Sequence, residues 1–129
     1  SAVIPFRLCR DKLEVLLITS RRRKRWIVPK GIVEQDLTPI ESAQKEAWEE
    51  AGVEGIVRGS LLGSYENEKW GGICHVAVYA MKVKTVHDTW PEDDRTREWV
   101  DVQTAAERVR EAELESMILA LPSVVRKNF

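Results

Sequence analysis

Glu46, Glu49 and Glu50 stand three and four residues apart in the segment KEAWEEAG, Lys45 to Gly52. On an ideal helix they fall within an arc of about 100°, beside an apolar stripe of Ile40, Ala43, Ala47, Trp48 and Ala51. Like charges so placed repel by roughly a few tenths of a kcal/mol per exposed pair, and by more once water is partly excluded. A divalent cation removes that repulsion. Oxygen-only ligands on a rigid helix suit Mg2+ or Mn2+, which bind phosphate oxygens as well. Taken alone, the three glutamates also fit an ordinary solvated helix face.

Charge along the chain sharpens the choice. From Ser20 to Lys30 there are six basic residues and no acid; from Glu34 to Glu54 there are seven acids and one base, Lys45. A cationic block followed at once by an anionic one fits a site that handles both an anionic ligand and metal ions. Arg21, Arg22, Arg23 and Arg25 offer planar forks for phosphate oxygens, and Lys30 a point charge beside Gly31. The competing reading is a solvated or loosely RNA-binding run. The overall net charge of −1 gives no global pull toward nucleic acid or an anionic membrane.

These residues need elements to hold them. AVIPFRL and EVLLITS form a strand pair about the polar turn CRDK. Thr38 to Ala51 is the clearest helix: Thr38-Pro39-Ile40-Glu41 matches a capping box, and Gly52 supplies the stop. IVRGSLLGSYENE and GGICHVAVYAMKVK read as two strands around a turn near Lys69 to Gly72, and REWVDV as a short one. Thr104–Arg110 and Glu113–Leu121 read as helices, the second with Leu114, Met117, Ile118 and Leu121 on one face. Trp26 and Trp48 are expected in the core. Tyr65, Trp70 and His75 are candidates for a base-binding pocket, with core or sheet-face packing as the plainer reading. Cys9 and Cys74 lack metal or disulfide spacing and are expected as reduced, buried thiols in a cytoplasmic protein. No apolar run approaches the roughly 18–20 residues that span a bilayer, and no signal-peptide pattern opens the chain. One α+β domain over residues 1–129 is expected.

The stretch from Gly31 to Val53 resembles the signature of the Nudix hydrolases: G, five residues, E, seven residues, then R-E-U-x-E-E-x-G-U, with U a bulky aliphatic. Gly31, Glu46, Glu49, Glu50, Gly52 and Val53 occupy its positions. Three positions depart: Leu37 stands for the first glutamate, Lys45 for the arginine and Ala47 for the aliphatic. That glutamate and arginine commonly pair in the family; Leu37 and Lys45 cannot, although Lys45 keeps the charge. Glu34 offers a further carboxylate on the loop.

The resemblance implies a Nudix-type α/β/α sandwich with a mixed sheet and a loop-helix-loop motif. It implies Glu46, Glu49 and Glu50 as ligands of Mg2+ or Mn2+, and hydrolysis of a diphosphate linkage. Lys45, Glu49 and Glu50 are the expected catalytic group, and Arg21, Arg22, Arg23, Arg25, Lys30 and Gly31 the expected substrate contacts. The general base stays open among Glu49, Glu50 and an acid of the loop Glu92-Asp93-Asp94, which equally fits a solvated turn; Glu34, Glu92 and Asp93 are the possible additional acids of the site. The chain also looks like the branch acting on diphosphoinositol polyphosphates and dinucleoside polyphosphates, with Pro29-Lys30-Gly31 as dinucleoside tetraphosphate hydrolases often have. A polyphosphorylated small molecule is the expected partner. ADP-ribose or nucleotide-sugar cleavage and a non-catalytic nucleotide- or RNA-binding module are the alternatives.

Overall fold

Arg10 and Asp11 both take positive φ, 53° and 65°, and so close the first strand pair with the tight turn whose twist suits a hairpin. The computed structural model describes residues 1–22, 25–58, 61–69 and 72–129. The expectations for Arg23 and Trp70 lie outside the described residues. Strands β1 (Ala2–Cys9) and β2 (Lys12–Thr19) pair antiparallel, while β1 runs parallel to the long strand β6 (Gly72–Val86). The other edge of β6 is shared by β4 (Val53–Val57) and β5 (Gly63–Lys69). On the far side β2 carries β3 (Trp26–Ile27) and β7 (Arg97–Asp101). The sheet is mixed and seven-stranded.

Side-chain alternation along β1 and β2 divides the core in two. Val3, Leu16 and Ile18 face one layer with Ala43, Ala47, Ala51, Val53 and Met81. Ile4, Phe6, Val15 and Leu17 face the other, built on α2 (Val102–Arg108) and α3 (Ala112–Asn128). The three fully buried alanines let the signature helix lie close on the sheet, which fixes how far its glutamates stand from β1 and β6.

Several elements differ from expectation. The segment Ile56–Glu68 is two strands, β4 and β5, rather than one. Helix α3 runs through Pro122 to Asn128 instead of stopping at Leu121, because Val125 is buried and Phe129 packs edge-on against Phe6, with ring centroids 5.1 Å apart. Cys9 and Cys74 are exposed, not buried: both lie near strand ends, where alternation no longer guarantees cover. Trp26 and Trp48 are half-buried; Trp48 meets the His87 ring edge-on at 4.7 Å. Among the described residues, no helix is long and apolar enough to cross a membrane.

The expected helix begins as read. Thr38 accepts from the Glu41 N–H, and the Glu41 carboxylate accepts from the Thr38 N–H, completing the capping box. Helix α1 (Pro39–Glu46) then widens into a π-helical turn over Ala47–Ala51, ending at Gly52 with φ 67°. A side chain at position 52 would run into the Trp90 ring and the Arg97 guanidinium, so glycine is needed there on both counts.

Candidate active site

A π turn brings residues i and i+4 nearly into line and carries i+3 further round, and such turns recur at functional sites. Glu46 and Glu50 accordingly face each other and hydrogen-bond, while Glu49 is turned toward Lys45, its carboxylate 3.6 Å from Nζ. Glu50 is buried, 8% exposed. Burial, then the bond to Glu46, pushes its carboxyl up to about 8, against a smaller opposing pull from Arg95. Burial also raises Glu46, and so do the charges of Glu49 and Glu92; its bond to Glu50 opposes the rise. Both shifts favour a proton on the pair, whose two members titrate together.

The turn carrying them is held from one distant segment. Carbonyls at a helix C-terminus have no partner within the helix. Here the Glu49 carbonyl accepts from the Glu92 N–H (2.9 Å), that of Glu50 from Trp90 Nε1 (3.0 Å), that of Ala51 from Arg97 Nη1 (2.9 Å) and that of Gly52 from the His87 N–H (2.8 Å). Arg97 also donates to the His87 carbonyl at 2.6 Å and lies over the Trp90 ring at 3.9 Å. Trp90, Arg95 and Arg97 escaped the sequence reading. The run HDTWPEDDRT drew attention for its acids, whereas it meets the signature helix through the His87 and Glu92 N–H groups and the Trp90 indole, with the Arg97 guanidinium following just beyond it.

On the other side of the pair lies the loop before α1. Its start is tied to β1: Gly31 N–H donates to the Ser1 carbonyl, and Val3 N–H to that of Pro29. The Lys30 N–H donates to the Glu50 carboxylate at 3.3 Å. At Gly31, any Cβ would overlap the Glu46 carboxyl group. Gly31→Ala is thus expected to leave stability within about 1 kcal/mol, since only the flexible end of Glu46 must yield. It should weaken Mn2+ binding about 10- to 100-fold, the usual effect of misorienting a ligand; a Mn2+ titration beside a urea melt checks both.

The remaining candidates are distributed as follows. Lys45 bonds Glu34 at 2.6 Å, so Glu34 supplies an ion-pair partner that Leu37 cannot. Arg21 lies 3.2 Å from Asp94 and 3.5 Å from Glu92, and Arg25 is 3.5 Å from Glu111. Arg22 is exposed. Glu92 is clamped by Arg95 through both Nε (3.0 Å) and Nη2 (2.9 Å), and Asp93 is exposed on the turn. Tyr65 belongs to the buried core, its hydroxyl pKa raised by burial.

Beside the glutamate pair opens a cavity of about 310 Å³, lined by Lys30, Gly31, Ile32, Val33, His75 and Val76 among others. Ile32 and Val33 are 68% and 41% exposed, apolar surface left uncovered at its wall.

The facing Glu46 and Glu50 carboxylates are oxygen donors of the kind a hard divalent cation takes, and binding one would displace any proton they hold. Among the described residues, no three Asp, Glu, His or Cys side chains stand together in a metal-holding group; the Glu49 carboxylate lies 3.6 Å from Lys45 Nζ.

The NUDIX domain profile matches residues 1–120. Nudix hydrolase 13, mitochondrial, of Arabidopsis thaliana is 38% identical, over 92% of this chain and 70% of its own length. Diphosphoinositol polyphosphate phosphohydrolase 2 of Rattus norvegicus is 40% identical, over 71% of this chain and 52% of its own. The chain thus spans between about half and seven-tenths of the length of these curated relatives. A crystal structure of C. elegans Ap4A hydrolase superposes with TM-score 0.80 at 20% identity, covering 96% of this chain and 95% of that one. At that identity the likeness concerns the fold.

Proposed function

Because this chain belongs to the Nudix hydrolase family, we propose that it cleaves a phosphoanhydride bond in a dinucleoside polyphosphate, using Mg2+ or Mn2+ held by Glu46, Glu49 and Glu50. The observation that carries this reading is the facing Glu46–Glu50 carboxylate pair, set against Lys30 and Gly31, which line a cavity with apolar walls. A divalent cation, when bound, offsets the charge of the phosphates and acidifies a water. The chain's own groups do the rest. Glu50, or Glu49 beside it, accepts the proton as that water attacks phosphorus. The bridging oxygen leaves with the bonding electrons on the second phosphorylated product. Lys30, whose N–H bonds Glu50 and which lines the cavity, is the cation proposed to meet the substrate's phosphates. Ile32, Val33 and Val76 offer a ring-sized apolar seat, at the small end of the roughly 300–1,000 Å³ range of ligand sites.

Diphosphoinositol polyphosphates are the second reading, favoured by the name of the rat relative. An inositol ring crowded with phosphates calls for many cations. Arg21 and Arg25 already face acids, and an apolar wall suits a nucleobase better. For location, cytoplasm stands as a proposal beside the mitochondrion named for the plant relatives.

Incubation with diadenosine tetra-, penta- and hexaphosphate and with a diphosphoinositol pentakisphosphate, in Mg2+ or Mn2+, decides among these. Metal-dependent release of adenine nucleotides of defined phosphate length is expected. Turnover of the inositol compound alone would transfer the assignment to the second reading. Tight RNA binding by a folded protein that turns over neither would overturn hydrolysis altogether.

A further inference from the structure

We infer that Glu34 is a positioning residue that competes with Glu49 for the Lys45 ammonium, and so loosens the hold of Lys45 on the third carboxylate that a divalent cation would take. The inference rests on the metal site proposed above and concerns a residue outside it. Lys45 lies between two acids, 2.6 Å from Glu34 and 3.6 Å from Glu49, so the closer bond goes to the loop. Both ion pairs are solvent-accessible and draw on the same ammonium. If Glu34 lets go, Lys45 has Glu49 as its remaining close acid, and a cation must then displace it. The Glu34 backbone is fixed independently of its carboxylate: its N–H donates to the buried Ser42 hydroxyl, and its carbonyl accepts from the Leu37 N–H. Removing the charge therefore leaves the loop in place. Leu37 stands one turn further along, where it offers no competing acid.

The competition predicts a non-additive pair of substitutions. Mn2+ affinity is read directly from free-Mn2+ electron paramagnetic resonance, without turnover. Glu34→Gln should weaken Mn2+ binding about threefold, the size expected for redirecting one exposed ion pair. Lys45→Gln should tighten it by about the same factor. In the double variant Glu34→Gln should have no further effect, because the ammonium it restrains is gone. An equal loss in both backgrounds would mean that Glu34 acts through its own charge or as a ligand, and would overturn the inference. So would wild-type affinity in Glu34→Gln. Glu50→Gln serves as control. If the wild-type protein binds Mn2+ and Glu50→Gln does not, while Glu34→Gln is unchanged, the metal site stands and the role of Glu34 falls. If the wild-type protein binds no Mn2+, both fall.

Discussion

Glu50→Gln is expected to make the metal-free protein more stable at pH 8 while cutting turnover by roughly 10²- to 10⁴-fold, the range for a lost general base. The first half follows from linkage. In the folded protein the Glu50 carboxyl is held up to about 8, against an ordinary value of 4.5. The folded state thus keeps a proton that the unfolded chain releases as pH rises past the ordinary value. Stability falls with pH wherever the native state binds more protons. The loss therefore starts near pH 4.5 and is complete above about pH 8. Glutamine mimics the protonated acid: its amide can donate to Glu46 and carries no charge to desolvate. Above pH 8 the variant should be more stable by about 2–4 kcal/mol, below the full linkage value because a charged site relaxes and admits water. Near pH 4 the two proteins should unfold alike. Urea melts in a chelator at pH 4, 6 and 8.5 check this, and a pH-independent difference would refute it. The same proton opposes a cation, so Mn2+ affinity should rise as pH climbs toward 8.

Why the pair is so perturbed was only half legible in the sequence. The capping box and the stop at Gly52 are local chemistry, and both stand where Thr38, Glu41 and Gly52 place them. Alternation in β1 and β2 likewise reports the two core layers, because each strand is buried on both faces. Spacing on an ideal helix, however, treats Glu46, Glu49 and Glu50 as one crowded arc. The π turn splits them into a facing pair and an outlier. Nothing in KEAWEEAG announces that widening. It is accompanied by four caps from residues 87–97, some 40 positions on, and a window of one helix cannot see them. Side-chain charge misled in the same way. Glu92 and Asp94 read as spare acids, but their partners Arg95 and Arg21 neutralise them, and the Glu92 contribution to Glu49 is its backbone N–H. Glu34 and Lys45 are 11 apart in sequence, beyond helical spacing, so their pairing emerges only when the loop folds back on α1.

Arg97→Ala carries the second large expectation: a loss of about 3–5 kcal/mol in stability, together with a marked fall in Mn2+ affinity. Arg97 Nη1 and Nη2 donate to two carbonyls, those of Ala51 and His87, and its plane lies on Trp90. Bonds from a charged donor contribute about 1.5–3 kcal/mol each, and a partly desolvated cation–π contact about 1–2. The sum overstates the effect, since water can reach the carbonyls once the side chain is gone. The consequence for the site runs through the turn. With Ala51 and Trp90 released, the Trp90 bond to the Glu50 carbonyl loses its support, and the π turn can relax toward α-helical winding. Glu46 and Glu50 would then move out of line. Arg97→Lys separates the two roles: its ammonium keeps the charge but cannot span both carbonyls as a planar fork. It should recover part of the stability and little of the metal affinity. Full recovery of Mn2+ binding by Arg97→Lys would show that charge alone, rather than the two-carbonyl clamp, holds the glutamates in line.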